Sequence, residues 1–564
     1  MDGGPLNRHA ELIARHAATL DAAIQAVRTR QAWSPFSDSP STKIHGPDKP
    51  PAGKAAFEAR LGTAFDLDQP GATGATVGEE VSPYTQQPLD IRYPVSDPDA
   101  LIAAAVSAMT DWREVDFELR LALCLEMAQR LYDRNFEMAH AVMHVAGQSY
   151  TQAFSGSGPN ALDRGVEALA YAAKAMRDVT PTADYHRPFG ADQVALRKTY
   201  TLVPRGVGLV ICCASFPTWN AYPAMFASLA TGNPVIVKPH PIAVLPMALV
   251  VQICRQVLAD FGFDPNLVTL AVDTLAEPVA GRFIDHPDVQ IIDFTGSPRY
   301  GGHLERTVTG KLLFTETAGV NTVVIDSVPQ DQAGLDAVAR AVARSSSLFS
   351  AQMCTSPQVI YIAPDLFEAM SSAIVDQIDA IAADPAQAAG IMGAIQGQVS
   401  LDVVAEARRA AEATPGARVL REAGAYAHPQ FPDARTLTPL VIAIEGAGDP
   451  EIYAEERFGP VLFLVSRPAD EAVMEATWLA RTRGSISSYL YSTDEAFIDR
   501  ATPAYEAAGA NLSINLTGAM WINFAAAYSD YHVTGLNPAG NACLADLAFV
   551  ASRFRIVQRR RPIA

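Results

Sequence analysis

Apolar and polar residues follow two different patterns along the chain, and the change falls near residue 199. Before that point, apolar side chains recur at helical spacing, which predicts helices over residues 5–30, 97–112, 117–145 and 163–176. Asp97-Pro98 is a typical helix start, because aspartate caps free N–H groups and proline suits the first turn. Residues 33–53 are rich in Ser, Pro and Lys, which predicts an extended linker.

From residue 199 onward, short apolar runs alternate with helical patterns. The apolar runs predict strands at residues 207–212, 234–237, 268–272, 289–295, 322–326, 359–362, 441–444, 461–465 and 485–491. The helical patterns between them include residues 221–230, 244–261, 275–284 and 366–381. Wholly apolar strands joined by helices of this length indicate a parallel sheet covered on both faces. The sequence therefore predicts an α/β fold with two α/β domains that meet at Glu316.

Length and composition limit the classes of protein. At 564 residues the chain exceeds one ordinary core, so two or three domains are expected. Its net charge of −18 argues against nonspecific binding to nucleic acid or an anionic membrane surface. No apolar run approaches the roughly 18–20 residues of a membrane span, and the polar N-terminus does not resemble a signal peptide, so we expect a cytoplasmic protein. The six cysteines have no C-x-x-C spacing, so they predict neither a disulfide framework nor a metal site.

Two residues at predicted strand boundaries are candidates for covalent catalysis. Cys354 follows a helical run of small residues and precedes the strand at 359–362, so its thiol can face a cleft. Glu316 lies at the exit of an apolar strand. A thiol and a carboxylate on neighbouring strand ends can act as nucleophile and base. Taken alone the pairing is weak, because a single cysteine is more often a packed core residue.

Three further stretches carry the residue types of a nucleotide site. Gly296 and Ser297 come directly after a strand and open a helix, where free N–H groups favour an anion. Lys238 ends another strand and can reach ribose or phosphate oxygens. Glu456 and Phe458 can hold a ribose hydroxyl and a flat ring. Each stretch also has an ordinary alternative: a plain strand–helix turn, a solvated lysine and a surface loop.

Six motifs taken together, in their order and spacing, resemble the aldehyde dehydrogenase superfamily. They are CASFPTWN, ASLATGNPVIVKP, FTGSPRYG, FTETAG, AQMC and EERFGPV. The resemblance extends from about residue 80 to about residue 540. The long N-terminal segment and the run at residues 530–562 resemble a narrower branch, the PaaN-type dehydrogenases of aerobic phenylacetate degradation.

The resemblance implies a domain arrangement. A helical extension and linker would occupy residues 1–75, and a dinucleotide-binding domain with a parallel sheet residues 76–184 and 204–315. The catalytic domain would span residues 316–510. A β oligomerisation element would combine a hairpin at 185–203 with residues 511–564, of which 511–515 would be a strand. Such an element implies a homodimer or homotetramer.

The family's roles carry over to the matching positions of this sequence. Cys354 resembles the catalytic thiol and Glu316 the base that activates water. Lys238 resembles the contact to the adenosine ribose, and Gly296 and Ser297 would border the pyrophosphate. The two residues that match the holders of the nicotinamide riboside are Glu456 and Phe458. Phe216 and Trp219 would line an aldehyde tunnel, with an aromatic core as the ordinary alternative.

Three departures from the family pattern affect these expectations. Ser215 stands where the family has the asparagine of the oxyanion hole, so the oxyanion would be held by a shorter donor, or shared with Asn220 or water. Pro241 stands where an acidic residue usually follows the cofactor lysine, so the expected cofactor is NADP or NAD, with NADP slightly favoured by His240. Residues 317, 318 and 320 also differ, which bears on how Glu316 is placed.

The expected reaction is the oxidation of an aldehyde to its acid through a thioester on Cys354. The cysteine would need to be held as thiolate by nearby N–H dipoles and by the charge of the nicotinamide. Within the narrower branch the substrate would be a CoA-linked semialdehyde from aromatic ring cleavage. Two alternatives stay open: a CoA-acylating aldehyde dehydrogenase, and a nucleotide-binding relative that assembles with partners without catalysis.

Overall fold

The computed structural model describes residues 5–219, 221–317, 319–446, 450–518, 526–531 and 546–563. The chain forms a five-stranded and a seven-stranded sheet, a three-stranded sheet and a two-stranded one. Within the described residues, no helix combines the length and the apolarity that crossing a membrane requires.

The first third of the chain is a helical layer with one small sheet. Its helices are α1 (Pro5–Thr29), α2 (Thr42–His45), α3 (Lys49–Glu58), α4 (Pro98–Trp112), α5 (Phe117–Asp133), α6 (Asn135–Ala146), α7 (Tyr150–Ser155) and α8 (Pro159–Arg177). The small sheet pairs β1 (Ala72–Val77) with β2 (Tyr93–Ser96) in antiparallel fashion. Helix α1 packs on α5 and α8, as its apolar stripe predicts, and Asp97 caps α4 through a side-chain bond from the Ala100 amide.

Two predictions in this layer are wrong. Residues 33–53 are not simply an extended linker, because the Ser41 side chain caps α2 and two prolines open α3, whose Phe57 is buried. The single helix predicted at 117–145 is two helices. Arg134 has φ −100° and ψ 10°, outside helical geometry, and the Asn135 side chain donates to the Phe154 carbonyl at 3.0 Å.

The middle of the chain builds the five-stranded sheet after a long hairpin. The hairpin strands are β3 (Thr182–Phe189) and β4 (Asp192–Pro204). The sheet then alternates strands and helices: β5 (Val207–Ile211), α9 (Ala221–Ala230), β6 (Val235–Lys238), α10 (Leu245–Asp260), β7 (Val268–Leu270), α11 (Ala280–Asp285), β8 (Val289–Gly296), α12 (Pro298–Thr307) and β9 (Leu312–Thr317). All strands are parallel in the order β7-β6-β5-β8-β9, so the winding reverses between β5 and β8. Ligands bind at such a switch point, outside the carboxyl ends of the strands.

The seven-stranded sheet follows directly. Its elements are β10 (Asn321–Ile325), α13 (Gln332–Ser347), β11 (Pro357–Ile362), α14 (Phe367–Ala383), α15 (Pro385–Met392), α16 (Gln398–Ala413), β12 (Ala417–Arg421), β13 (Leu440–Ile444), β14 (Val461–Ser466), α17 (Ala469–Arg483), β15 (Ser488–Tyr491), α18 (Glu495–Ala508) and β16 (Leu512–Ile514). The strand order is β12-β13-β14-β11-β10-β15-β16, and only β12 is antiparallel. The predicted α/β class with apolar, helix-covered parallel strands is therefore confirmed.

The C-terminal segment returns to the hairpin. It forms α19 (Leu547–Ala551) and β17 (Phe554–Pro562), and β17 pairs with β4 to complete a three-stranded antiparallel sheet. Arg553 anchors the segment, because its buried guanidinium binds both carboxylate oxygens of Asp293 on β8, at 2.6 and 2.9 Å.

The strand predicted at 511–515 lies elsewhere than expected. Leu512–Ile514 pairs in parallel with Ser488–Tyr491 at the edge of the seven-stranded sheet, not with the hairpin. Its place follows from the preceding helix α18, which brings the chain back alongside β15 as in any β-α-β unit.

The position proposed as the domain boundary at 315/316 falls inside β9, since Glu316 pairs with Thr295 in the five-stranded sheet.

Candidate active site

The two large sheets together hold the predicted nucleophile and base. Glu316 lies on β9, at one edge of the five-stranded sheet, and is 1% exposed. The chain passes from β9 to β10, whose neighbour β11 begins three residues after Cys354. The Cys354 thiol hydrogen-bonds to the Glu316 carboxylate. Two residues 38 positions apart, one on β9 and one in the loop before β11, are thus brought into direct contact.

The electrostatics of this pair differ from the expectation of a stabilised thiolate. The pKa of Cys354 is raised well above its ordinary value, first by burial and then by the charge of Glu316, with Cys213 and Glu456 adding to the effect. Burial also raises the pKa of Cys213, to about 11. In this structure Cys354 is therefore a protonated thiol, and its hydrogen bond points the proton towards Glu316.

The backbone just before Cys354 is strained. Phe349, Ser350 and Ala351 have φ values of 50°, 49° and 53°, a left-handed backbone conformation that residues other than glycine rarely adopt. Each such residue costs on the order of 1–3 kcal/mol, so surrounding contacts must hold it. The Ser350 hydroxyl donates to the Met392 carbonyl at 3.1 Å, and the Gln352 side chain donates to the Ala394 carbonyl at 3.0 Å. This tight turn presents Cys354 at the sheet junction. Residues 348–356, between α13 and β11, form the nucleophile loop.

Asn321 fixes the other side of the nucleophile loop. Its amide nitrogen donates to the carbonyls of Cys354 and Ser356, at 2.8 and 3.0 Å. Its side-chain oxygen accepts from the backbone amides of Ile486 and Ser487, at 2.9 and 3.0 Å. A single buried asparagine at the start of β10 thus ties the nucleophile loop to the turn before β15.

The loop that carries Ser215 is held by two glutamines. Gln148 donates to the Ser215 carbonyl at 2.7 Å, and Gln396 donates to the Ala214 carbonyl at 2.9 Å. Gln396 also donates its backbone amide to the Gln352 side chain at 2.9 Å, so it links this loop to the nucleophile loop. The Cys213 thiol donates to the Phe216 carbonyl at 3.4 Å. Asn220, the alternative oxyanion donor, lies outside the described residues.

The aromatic residues of this loop take different places. The Phe216 ring meets the Phe349 ring edge-on, with centroids 5.6 Å apart, and Phe216 lines a crevice with Cys213. Trp219 is 7% exposed, and the Arg164 guanidinium lies 5.7 Å from its ring centroid. Phe216 therefore contacts the nucleophile loop.

The crevice at the reversal point of the five-stranded sheet has the form of a dinucleotide site. It lies between the carboxyl ends of β5 and β8, where Cys213 and Thr295 line it. Gly296 and Ser297 follow directly, and the Ser297 hydroxyl caps α12 by accepting from the Tyr300 amide at 3.3 Å. A Cβ at Gly296 would lie 2.6 Å from the Phe294 ring, so a larger residue here would have to displace that ring. The N-terminus of α12 faces outward from the same edge and favours an anion.

Lys238 is placed at this edge with a partner that the sequence analysis missed. Its ammonium lies 2.6 Å from the carboxylate of Asp273 and donates to the Pro239 carbonyl at 3.1 Å. Burial and the Lys238 charge lower the pKa of His240 to about 4, so this imidazole is neutral at neutral pH. His240 therefore adds no positive charge beside Lys238.

Glu456 and Phe458 lie beside the loop that carries the nucleophile. They line a cavity together with Met353 and Ser356, which lie one residue before and two residues after Cys354 in the sequence. Burial raises the pKa of Glu456 to about 8. Gln358 on β11 shapes their loop, because it donates to the Glu455 carbonyl at 2.7 Å and accepts from the Arg457 amide at 2.6 Å. The structure thus places these two predicted cofactor residues beside the nucleophile loop.

Comparison with known proteins agrees with this geometry. The profile of the Aldehyde dehydrogenase family matches residues 72–525. The chain belongs to the aldehyde dehydrogenase family. A crystal structure of an NAD-dependent aldehyde dehydrogenase from Burkholderia multivorans is 44% identical with a TM-score of 0.92, covering 98% of this chain and 99% of that one.

Curated relatives are more distant. The chain is 24% identical to a 1-pyrroline-5-carboxylate dehydrogenase of Bacillus pumilus, over 74% of this chain and 78% of that protein. It is 27% identical to an N-succinylglutamate 5-semialdehyde dehydrogenase of Vibrio cholerae, over 79% and 88%. The enzyme class, an oxidoreductase that acts on aldehydes, follows from family membership together with these relatives.

Several residues that hold the loops of the candidate site could not be found from local sequence patterns. Gln148, Asn321 and Gln396 are polar residues within largely apolar surroundings, which is the only signal they give in the sequence. Burying an amide side chain is unfavourable unless it is hydrogen-bonded, so such a residue indicates a structural or functional contact. The sequence gives no indication of which distant carbonyl each one binds.

Replacing Asn321 with alanine is expected to lower kcat/KM for aldehyde oxidation by about 10–100-fold, because the nucleophile loop loses both side-chain donors and its position shifts. The free energy of unfolding should fall by about 1–3 kcal/mol, since two buried carbonyls lose their partner. Steady-state kinetics and chemical denaturation measure the two effects.

Asn511→Ala is the matched control. Asn511 also bonds near the turn before β15, since its side chain donates to the Ile486 carbonyl at 3.4 Å and to the Tyr531 carbonyl at 2.8 Å. A comparable loss of activity in both variants would show that Asn321 acts on general stability and not on Cys354.

The reaction of the free enzyme with iodoacetamide should depend steeply on pH. Only the thiolate reacts, and the Cys354 pKa lies above its ordinary value, so labelling should rise ~10-fold per pH unit between pH 7 and pH 9. Glu316→Gln removes a charge that raises this pKa, so its labelling should be faster at each pH. Peptide mass spectrometry separates Cys354 from Cys213. A labelling rate that is constant over this range would mean that the thiolate already predominates.

Proposed function

We propose that this aldehyde dehydrogenase oxidises a semialdehyde to the carboxylic acid, with Cys354 as nucleophile and Glu316 as base. The observation that carries the proposal is the hydrogen bond between this thiol and this carboxylate at the junction of the two sheets. The cofactor is NAD or NADP.

The residues of the site support a two-stage reaction. Glu316 accepts the thiol proton as the Cys354 sulfur attacks the aldehyde carbon, and the carbonyl oxygen becomes an oxyanion. The backbone N–H of Cys354 and the Ser215 hydroxyl are the donors assigned to that oxyanion. The bound cofactor supplies the acceptor for the hydride. This leaves a thioester on Cys354. After Glu316 has released the thiol proton to solvent, it takes a proton from water, whose oxygen attacks the thioester. The C–S bond then breaks, the acid is released, and the Cys354 sulfur takes the proton from Glu316.

The cofactor-binding residues are assigned by position. Gly296 and Ser297, at the capped start of α12, would border the pyrophosphate, and Lys238 would bind the adenosine ribose. Glu456 and Phe458 would hold the nicotinamide riboside, since they line the cavity beside the nucleophile loop.

The substrate class rests on relatives and on sequence resemblance. The names of the curated relatives specify 1-pyrroline-5-carboxylate and N-succinylglutamate 5-semialdehyde, which favours a semialdehyde with an anionic group. The narrower candidate is a CoA-linked semialdehyde from phenylacetate ring cleavage. It is supported by the resemblance of the N-terminal segment and residues 530–562 to PaaN-type enzymes.

A panel of aldehydes tests these assignments. The purified enzyme would be given glutamate 5-semialdehyde, N-succinylglutamate 5-semialdehyde, a CoA-linked semialdehyde and a simple aliphatic aldehyde, each with NAD and with NADP. Absorbance of the reduced nicotinamide gives kcat/KM for each pair. A preference for the aliphatic aldehyde over all three semialdehydes would overturn the proposed substrate class.

The same panel addresses the CoA-acylating alternative. The carboxylate of Glu316 against the nucleophile favours water as the acceptor of the acyl group, because it can deprotonate water. We therefore expect the free acid to form at the same rate with and without added CoA. Formation of an acyl-CoA product in place of the acid would support the alternative.

The three-stranded sheet is proposed as the oligomerisation element. Its apolar side chains Phe189, Ile556 and Val557 are at least half exposed. Exposed apolar strands of this kind indicate a contact with another chain. A homodimer or homotetramer, and a domain division near β9, are the corresponding proposals.

A further inference from the structure

Asp273 and Lys238 form a buried ion pair where two adjacent parallel strands end. Lys238 is the last residue of β6, and the chain continues beside it past β7, since the Ala271 amide donates to the Val237 carbonyl at 2.8 Å. The Lys238 ammonium lies 2.6 Å from one carboxylate oxygen of Asp273, and the other accepts from the Val279 amide at 3.0 Å. The side chains are 8% and 1% exposed.

The surroundings of this pair carry more negative than positive charge. Glu79 reaches the same turn, because its carboxylate accepts from the Leu275 amide at 3.0 Å. His240 faces Lys238, Asp273 and Glu79, and its pKa of about 4 leaves it uncharged at neutral pH. One cation is therefore set against two carboxylates. Leu275 is 62% exposed in the same turn and offers an apolar surface.

We propose that Asp273 selects NAD over NADP by accepting hydrogen bonds from the adenosine ribose hydroxyls. This rests on the proposed function, in which Lys238 binds that ribose. Asp273, in the segment that follows β7, then supplies the carboxylate that Pro241 cannot supply in the segment that follows β6. A carboxylate suits a pair of hydroxyl donors and repels a 2′-phosphate. Its bond to Lys238 also occupies the cation that such a phosphate would need.

Isothermal titration calorimetry of the intact enzyme with NAD and NADP, without aldehyde, tests the proposal. The wild type should bind NAD at least about 10-fold more tightly than NADP. In Asp273→Asn and Asp273→Ser, NAD should bind more weakly and NADP more tightly, so that the ratio moves towards NADP by about 30-fold or more. The fragments 5′-AMP and 2′,5′-ADP should show the same order, which isolates the adenosine half.

Asp288→Asn is the control for loss of one negative charge. Asp288 precedes β8 at the amino end of the sheet, where its carbonyl accepts from the Val207 amide, and its substitution should leave the ratio unchanged. Equal binding of NAD and NADP by the wild type, or an unchanged ratio in both Asp273 variants, would overturn the proposal. If a variant does not fold, the affinities of the wild type for 5′-AMP and 2′,5′-ADP test the proposal instead. Equal affinity for the two fragments would overturn it.

The proposed function fails in a distinguishable way. If the proposed function were wrong, the enzyme would not reduce either cofactor with any semialdehyde, although NAD could still bind more tightly than NADP. If only the role of Asp273 were wrong, semialdehyde oxidation would proceed and the Asp273 variants would retain the wild-type ratio.

Discussion

Replacing Cys354 with alanine is expected to lower kcat/KM for aldehyde oxidation by more than about 10⁴-fold, because covalent catalysis is lost together with its nucleophile. Binding of the cofactor should change little, since the residues assigned to the dinucleotide lie on other loops. Steady-state kinetics with calorimetry of cofactor binding separates the two effects. The thermal transition should stay close to that of the wild type, because the substitution removes a single sulfur atom from a residue that is partly exposed as a whole.

Cys254→Ala provides the matched control. Cys254 is a fully buried thiol on α10, and its pKa is raised by burial alone, to about 12. Its removal should cost some stability but leave kcat/KM within a few-fold of the wild type. Substantial turnover in Cys354→Ala, with normal folding of both variants, would exclude the proposed nucleophile.

The sequence predicts the framework of this fold well because the framework depends on local patterns. Apolar strands and amphipathic helices follow from the spacing of side chains over a few residues, and Asp97 caps α4 through a contact three residues away. The break between α5 and α6 has no such local signal. It depends on the bond of Asn135 to the Phe154 carbonyl, 19 residues on, which periodicity does not register.

The strand at residues 512–514 shows a second limit. Its apolar residues identify a strand, but its partner depends on where helix α18 returns the chain. A pattern that fixes which residues are extended does not fix which sheet they join. The predicted bridging element therefore placed this strand in the wrong sheet, whereas the hairpin of β3 and β4 was predicted close to its actual bounds.

The candidate site likewise has one aspect that the sequence predicts and one that it does not. Motif resemblance identifies Cys354, Glu316, Lys238 and Glu456, and the structure brings the first two into contact. The electrostatic state is set by neighbours that resemblance does not specify. Glu316 and burial raise the Cys354 pKa, and Asp273 reaches Lys238 from 35 residues away. Residues at sheet junctions and strand ends gain their properties from three-dimensional neighbours, so their identity is easier to predict than their charge.

Replacing Glu316 with glutamine is expected to separate the two stages of the reaction. Loss of the negative charge lowers the Cys354 pKa, so the thiol can lose its proton to solvent and the thioester can still form. Hydrolysis needs a base for water and should slow by about 10²–10⁴-fold. Rapid-mixing experiments should therefore show one equivalent of reduced nicotinamide per active site, followed by a slow steady state, and intact-mass spectrometry should detect the acyl-enzyme.

The control for this prediction is Glu475→Gln. Glu475 is also a largely buried carboxylate, which accepts from the Tyr453 hydroxyl at 2.5 Å, but it lies on α17 away from Cys354. Its variant should show wild-type turnover and no acyl-enzyme. If Glu316→Gln turned over within about threefold of the wild type, another group would have to activate water. If it formed neither a burst nor an acyl-enzyme, solvent could not replace Glu316 as the acceptor of the thiol proton, and both stages would depend on this carboxylate.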